Sequence, residues 1–173
     1  MEAVSYTFEA FRTDIAQRVR LLNAGLSEPE ATWPGVLFLD IPDGLGAEAF
    51  EIAGLSEEDK RELAERTLPD RIRARAARRF CWAMPAWLRG DRPQECLILV
   101  FGERNRCEVV LAFVLRAAGR GPRLGRWQHA PFGPGLREIS GLFVDPLRHA
   151  LDEAATNWPR PPLSRGQRRR LGD

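Results

Sequence analysis

Two apolar runs, 96–101 and 109–115, flank the polar stretch Glu103-Arg104-Asn105-Arg106, and this pairing constrains the fold more than any other feature of the chain. Runs rich in β-branched and aromatic residues, broken by a polar turn, predict an antiparallel hairpin. A four-residue turn sets Gly102 opposite Cys107 and Cys96 opposite Phe113. In that register Ile98, Val100, Val109 and Leu111 share one face, and Leu97, Leu99, Val110 and Ala112 share the other. Both faces are apolar, so the hairpin calls for cover on both sides. The expected fold is α+β: a small, mainly antiparallel sheet centred on the 96–115 hairpin and flanked by three to four helices.

The covering helices are visible as periodicities. Phe8, Phe11, Ile15, Val19 and Leu22 recur at steps of three and four before Gly25, which predicts an amphipathic helix over 5–24. The run 36–41, set between Trp33-Pro34-Gly35 and Pro42-Asp43-Gly44, predicts a strand. Ser56 followed by Glu57, Glu58 and Asp59 predicts a helix start, because a capping hydroxyl and carboxylates meet the exposed amides and positive end of a helix. Pro69 suits a first helical turn, so a new helix begins there with Ile72, Ala76 and Phe80 on one face, or one helix is kinked. Residues 80–88 read as a strand that Pro85 confines to an edge or a bulge. Residues 119–141 read as loops around one extended piece near Trp127. Asp145-Pro146 reads as the cap and first turn of a last helix, with Leu147, Ala150, Leu151 and Ala154 as its apolar stripe and Trp158-Pro159 as its end.

At 173 residues the chain can bury one core without staples. Residues 1–158 are expected to form a single α+β domain and 159–173 a disordered basic tail rich in Pro and Arg. No apolar stretch approaches the roughly 18 residues of a membrane span, and Glu2 and Glu9 stand where a leader would be basic and then apolar. Cys81, Cys96 and Cys107 form no C-x-x-C pair and have no His at metal-ligand spacing, which disfavours both a disulfide framework and a zinc site. A soluble cytoplasmic protein is expected, with no membrane association, no metal and no cofactor.

Charge is distributed unevenly. Residues 1–65 carry 5 basic and 14 acidic side chains, whereas 66–173 carry 21 and 10, so a net charge of +2 hides a dipolar sequence. All basic residues but Lys60 are arginine, a bias typical of a GC-rich genome, so position says more than abundance. Arg116, Arg120, Arg123 and Arg126 interleave with Gly119, Gly121 and Gly125 just after a predicted strand, and glycine amides beside arginines can cradle phosphate. The spacing G-x-G-x-x-x-G, the missing amide of Pro122 and the lack of a following helix depart from the dinucleotide fingerprint, which leaves an ordinary connecting loop as the plain alternative. Arg165, Arg168, Arg169 and Arg170 in the tail are candidates to grip phosphates or an acidic partner, against a solubilising end. Arg71, Arg75, Arg78 and Arg79 are explained without a ligand if they pack against the acidic helix of Glu57, Glu58, Glu62 and Glu65.

Catalytic players are few. His129 and His149 belong to no motif, and no G-x-S-x-G, H-E-x-x-H or Walker pattern is present. Asp145, His149, Asp152 and Glu153 share a helical turn, but capping and solvation account for the carboxylates. Trp82 and Trp87 around Met84 and Pro85 suit a stacking surface, with core burial as the default. The tripeptide Arg89-Gly90-Asp91 is chance in so arginine- and glycine-rich a chain. The expected function is that of a non-enzymatic accessory or regulatory protein whose basic C-terminal portion engages an acidic partner, a protein slightly before a nucleic acid. The charge asymmetry also permits head-to-tail self-association. The alternative is a small enzyme holding an anionic small molecule on the 116–126 loop, with His129 or a carboxylate as base.

Overall fold

The computed structural model describes residues 6–88, 91–129 and 134–156, and for 134–144 the backbone path alone. An antiparallel sheet runs in the order β2-β1-β3-β4-β5-β6. Its strands are β1 (Gly35–Ile41), β2 (Gly44–Phe50), β3 (Arg79–Leu88), β4 (Gln94–Glu103), β5 (Arg106–Leu115) and β6 (Arg123–Leu124), and β7 (Gln128–His129) pairs with β5 beside β6. The class is α+β, with helices on both faces of this sheet.

The hairpin of β4 and β5 has the expected register, with Gly102 opposite Cys107 and Cys96 opposite Phe113. Its turn is shorter than expected: Glu103 and Arg106 pair, which leaves Arg104 and Asn105 as a two-residue turn. The middle of the sheet falls between β3 and β4, so the hairpin lies to one side of centre.

One face is covered by α1 (Phe8–Ala24), which Thr7 caps by accepting from the Ala10 amide at 3.1 Å. Phe8, Phe11, Ile15 and Val19 are buried against Phe38, Leu97, Leu99 and Phe101, with Phe11 meeting Phe101 edge to face at 6.1 Å. Each such side chain contributes about 1.5–3 kcal/mol by leaving water. The other face carries Ile98, Val100, Val109 and Leu111 under a second cover. That cover is the helical run α2 (Glu57–Glu62), a π-helical stretch Leu63–Thr67 and α3 (Leu68–Ala74), together with α4 (Pro134–Ala155).

Ser56 and Asp59 form the full capping box that the sequence announces, so α2 starts at Glu57. The run then continues through Pro69 without a break. In the widened π stretch Leu68 donates to the Leu63 carbonyl, and Pro69 enters α3 at its first turn, where no amide is needed. The expected face of Ile72, Ala76 and Phe80 does not form. The helix ends at Ala74, Ala76 takes φ 49°, and Phe80 already belongs to β3.

β3 is an interior strand rather than an edge, yet Pro85 still obeys its constraint. Antiparallel residues alternate between pairs that exchange hydrogen bonds and pairs that do not. Glu103 and Arg106 close a two-residue turn and so form a bonded pair. Following the alternation across β4 turns the backbone of Pro85 away from β4. On that side β1 has ended, since its pairing with β3 stops at Ala83. No ladder bond is lost.

Two further elements differ from expectation. β2 carries only a weak apolar signal, because it is an edge strand made mostly of Gly and Ala whose pairing comes from the Pro42-Asp43 turn. α4 begins at Pro134 and carries Pro146 inside it, so Asp145 is not its cap. An internal proline costs about 3 kcal/mol. Leu147, Ala150, Leu151 and Ala154, all buried against the sheet and α3, hold the segment in place. The tail at 159–173, Trp158 and the pair Arg89 and Gly90 lie outside the described residues.

Candidate functional site

The arginine and glycine loop is bound to α1 through its carbonyls. Asn23 donates to Pro122 O at 2.9 Å and accepts from Trp33 Nε1 at 3.0 Å, while Arg20 donates to Gly125 O at 2.9 Å and lies 5.3 Å over the Trp127 ring. Gly121 lies so close to α1's end that a Cβ there would stand 1.8 Å from Leu26 O. The Gly125 amide donates to Phe113 O at 2.9 Å. Gly125 thus offers no free amide to a phosphate, and Gly121 is held close against Leu26. The loop is a pinned connection.

Its four arginines divide into two kinds. Arg116 forms a two-pronged pair with Glu95 at 2.6 and 2.7 Å and also donates to Pro29 O and Ala31 O at 2.8 and 3.0 Å. The Glu95 hydrogen bond raises its pKa further above the usual arginine value. Arg120, Arg123 and Arg126 are exposed and form no hydrogen bond or ion pair among the described residues. Arg165, Arg168, Arg169 and Arg170 lie outside those residues.

Elsewhere the basic part of the chain folds back on the acidic part. Arg71 binds Glu48 at 2.9 Å, Arg106 binds Glu9 at 2.6 Å, and Arg79, nearly buried, binds Asp40 at 2.7 Å and Glu103 at 2.8 Å. The partners of Arg71 and Arg79 are therefore strand carboxylates of β1, β2 and β4, not the acidic helix. Arg12 returns the exchange by gripping Glu108 at 2.8 and 2.9 Å. Part of the dipolar pattern is thus internal pairing.

Where β3 and β4 overhang the end of β1, a cleft of about 690 Å³ opens. Trp82, Met84 and Leu63 supply apolar wall, Ile52 closes one side, and the Arg116–Glu95 pair stands at the rim. Trp82 is 1% exposed, and Trp87, at 63%, reaches the same cleft from the opposite face of β3. A separation of five residues in a strand puts two side chains on opposite faces, so spacing alone divides the two tryptophans. Ile52, Lys60 and Leu63 arrive from the β2–α2 connection and the helical run, and no local pattern joins them to β3.

His129 is exposed, 3.5 Å from Glu108, and lines neither this cleft nor the two smaller hollows beside Arg104 and Leu22. His149 lies 3.5 Å from Glu153, which is also held by Arg73 and has its pKa lowered chiefly by that hydrogen bond. Among the described residues no cluster of His, Cys, Asp and Glu is arranged to hold a metal ion. No described helix is long and apolar enough to cross a membrane. No protein-family model, curated protein or solved structure matches the chain.

Proposed function

We propose that this chain is a non-enzymatic binding protein that engages an acidic protein surface through its basic C-terminal portion, with Arg120, Arg123 and Arg126 as the described contact residues. One observation carries the reading: Arg71, Arg79, Arg106 and Arg116 are taken up by internal carboxylates, while these three stand outward on a connection pinned to α1. Outward cations on a rigid support give long-range attraction that salt screens. Arg165, Arg168, Arg169 and Arg170 extend the same basic portion in sequence.

A polyglutamate peptide is the first probe. Binding should weaken at least tenfold on replacing Arg120, Arg123 and Arg126 together by Ala, and should fall as salt rises. Equal binding by wild type and triple variant at low and high salt overturns the reading. Retention of a DNA oligonucleotide in preference to the peptide reassigns the partner to nucleic acid.

The cleft supports a second reading, that of a receptor for a flat, uncharged, apolar small molecule. Its volume lies within the range of ligand pockets, and Trp82, Met84 and Trp87 offer ring and sulfur surfaces. An enzyme acting on an anion is less well supported there, because the charge of Arg116 is already matched by Glu95. Titration with a neutral naphthalene-type dye should quench Trp87 fluorescence, and Trp87→Ala should weaken binding several-fold. Unchanged affinity in that variant removes the reading.

A further inference from the structure

Among the described residues no strand pairs with the outer edge of β2. Ile41 and Gly44 close a two-residue turn as a bonded pair, so Gly44, Gly46, Glu48 and Phe50 direct their backbone groups to β1. Leu45, Ala47 and Ala49 direct theirs outward. Edge strands are normally blunted by lysine, proline, a bulge or a covering segment. β2 has no lysine or proline, its register with β1 runs without a bulge, and it stands last in the sheet order.

The ground beside this edge is apolar. A hollow of about 300 Å³ lies between Leu22, Leu26 and Trp33 on one side and Ala47 and Ala49 on the other. Leu22, in its wall, and the adjacent Leu21 are 49% and 66% exposed, although α1 buries its opposite face.

We propose that β2 is a self-association edge, at which two copies of this chain pair antiparallel about a two-fold axis through Ala47. In that register Ala47 meets Ala47 of the second copy and Leu45 meets Ala49. All three outward residues exchange backbone hydrogen bonds, and Leu45 of each copy arrives at the mouth of the other's hollow. Side chains of opposed residues share a face, so Glu48 comes to lie beside Gly46 of the second copy. Arg75 lies over Gly46, its Nη2 3.2 Å from the place a Cβ would occupy, and it is exposed with no ion pair among the described residues. The two-fold therefore brings the other copy's Arg75 to each Glu48 beside the Arg71 that already holds it, and sets the exposed Asp43 against the exposed Glu51 only beyond the ends of the paired strands. Neighbouring registers are poorer. One centred on Glu48 sets two carboxylates face to face, and one centred on Gly46 runs Ala49 and Phe50 against the turn residues Asp43 and Pro42. An isologous pair is the closed form such an edge permits.

Sedimentation equilibrium on the full chain tests this, with an expected mass twice the 19.5 kDa of one chain. Ala47→Lys places two cations together at the axis, and Arg75→Glu opposes carboxylates. Each should raise the dimer dissociation constant at least tenfold in protein whose circular dichroism matches wild type. Arg75 is on the surface, so its variant decides the matter even where a lysine in β2 disturbs folding. A wild-type chain that stays monomeric at every soluble concentration overturns the proposal, as does a dimer that Arg75→Glu leaves intact.

Discussion

Cys96 is the residue whose environment makes the plainest prediction. It lies on β4 opposite Phe113 with no exposed surface, and burial first, then the neighbouring Glu95 charge, pushes its thiol up to about 11 from 9.0. A raised folded pKa means that the unfolded chain ionises first. Stability is therefore fully present below about pH 9 and declines as pH rises toward 11, by about 1.4 kcal/mol for each unit of difference. Cys81 moves in the same direction through burial alone. Urea midpoints at about pH 8 and about pH 10.5 should differ less in Cys96→Ala than in wild type. An equal loss in both proteins places the alkaline sensitivity elsewhere. The position of Cys96 was readable because register in a two-faced apolar hairpin is fixed by its pattern. The Arg116–Glu95 pair was not, because it joins the end of β5 to the start of β4 through geometry that no local spacing encodes.

At the scale of elements, Arg79 binds three strands together. It stands on β3, bonds Asp40 of β1 and Glu103 of β4, and is almost excluded from water. Removing it strands two carboxylates that are themselves mostly covered, a change that costs about 3 kcal/mol when a buried charge loses its partner. Arg79→Met should lower the urea midpoint accordingly, and Asp40→Asn combined with it should recover part of the loss. A neutral Arg79→Met would mean that water satisfies both carboxylates. Elements with strong periodicity, α1 and the β4–β5 hairpin, were legible from the sequence. β2 was not, since a half-exposed edge of small residues carries only a weak apolar signal. The helix through Pro69 was legible only as a choice between two forms, because a proline marks either a new first turn or a kink, and the residues beyond it, packed against α4, keep the run continuous. Pro146 misled for the same reason: a cap signal was outweighed by packing further along the helix.

For the whole molecule, the dipolar sequence has a simple physical sense. The front third supplies α1, β1 and β2, the remainder supplies β3 to β5 and α4, and carboxylates of the first meet arginines of the second at Glu9–Arg106, Asp40–Arg79 and Glu48–Arg71. Charge blocks far apart in sequence thus help to bring strands together. The two ends of the sheet are unlike. β2 forms one margin, and β6 with the 119–127 connection stands at the other. Joined at β2, two copies would form one continuous sheet of fourteen strands, twelve across, with the loop arginines at its extremities, about 50 Å apart at the usual strand spacing. Such an object behaves as a two-handed calliper. A target offering two acidic sites at that span would be held with an effective concentration that neither hand alone supplies, and a target offering one would be released quickly.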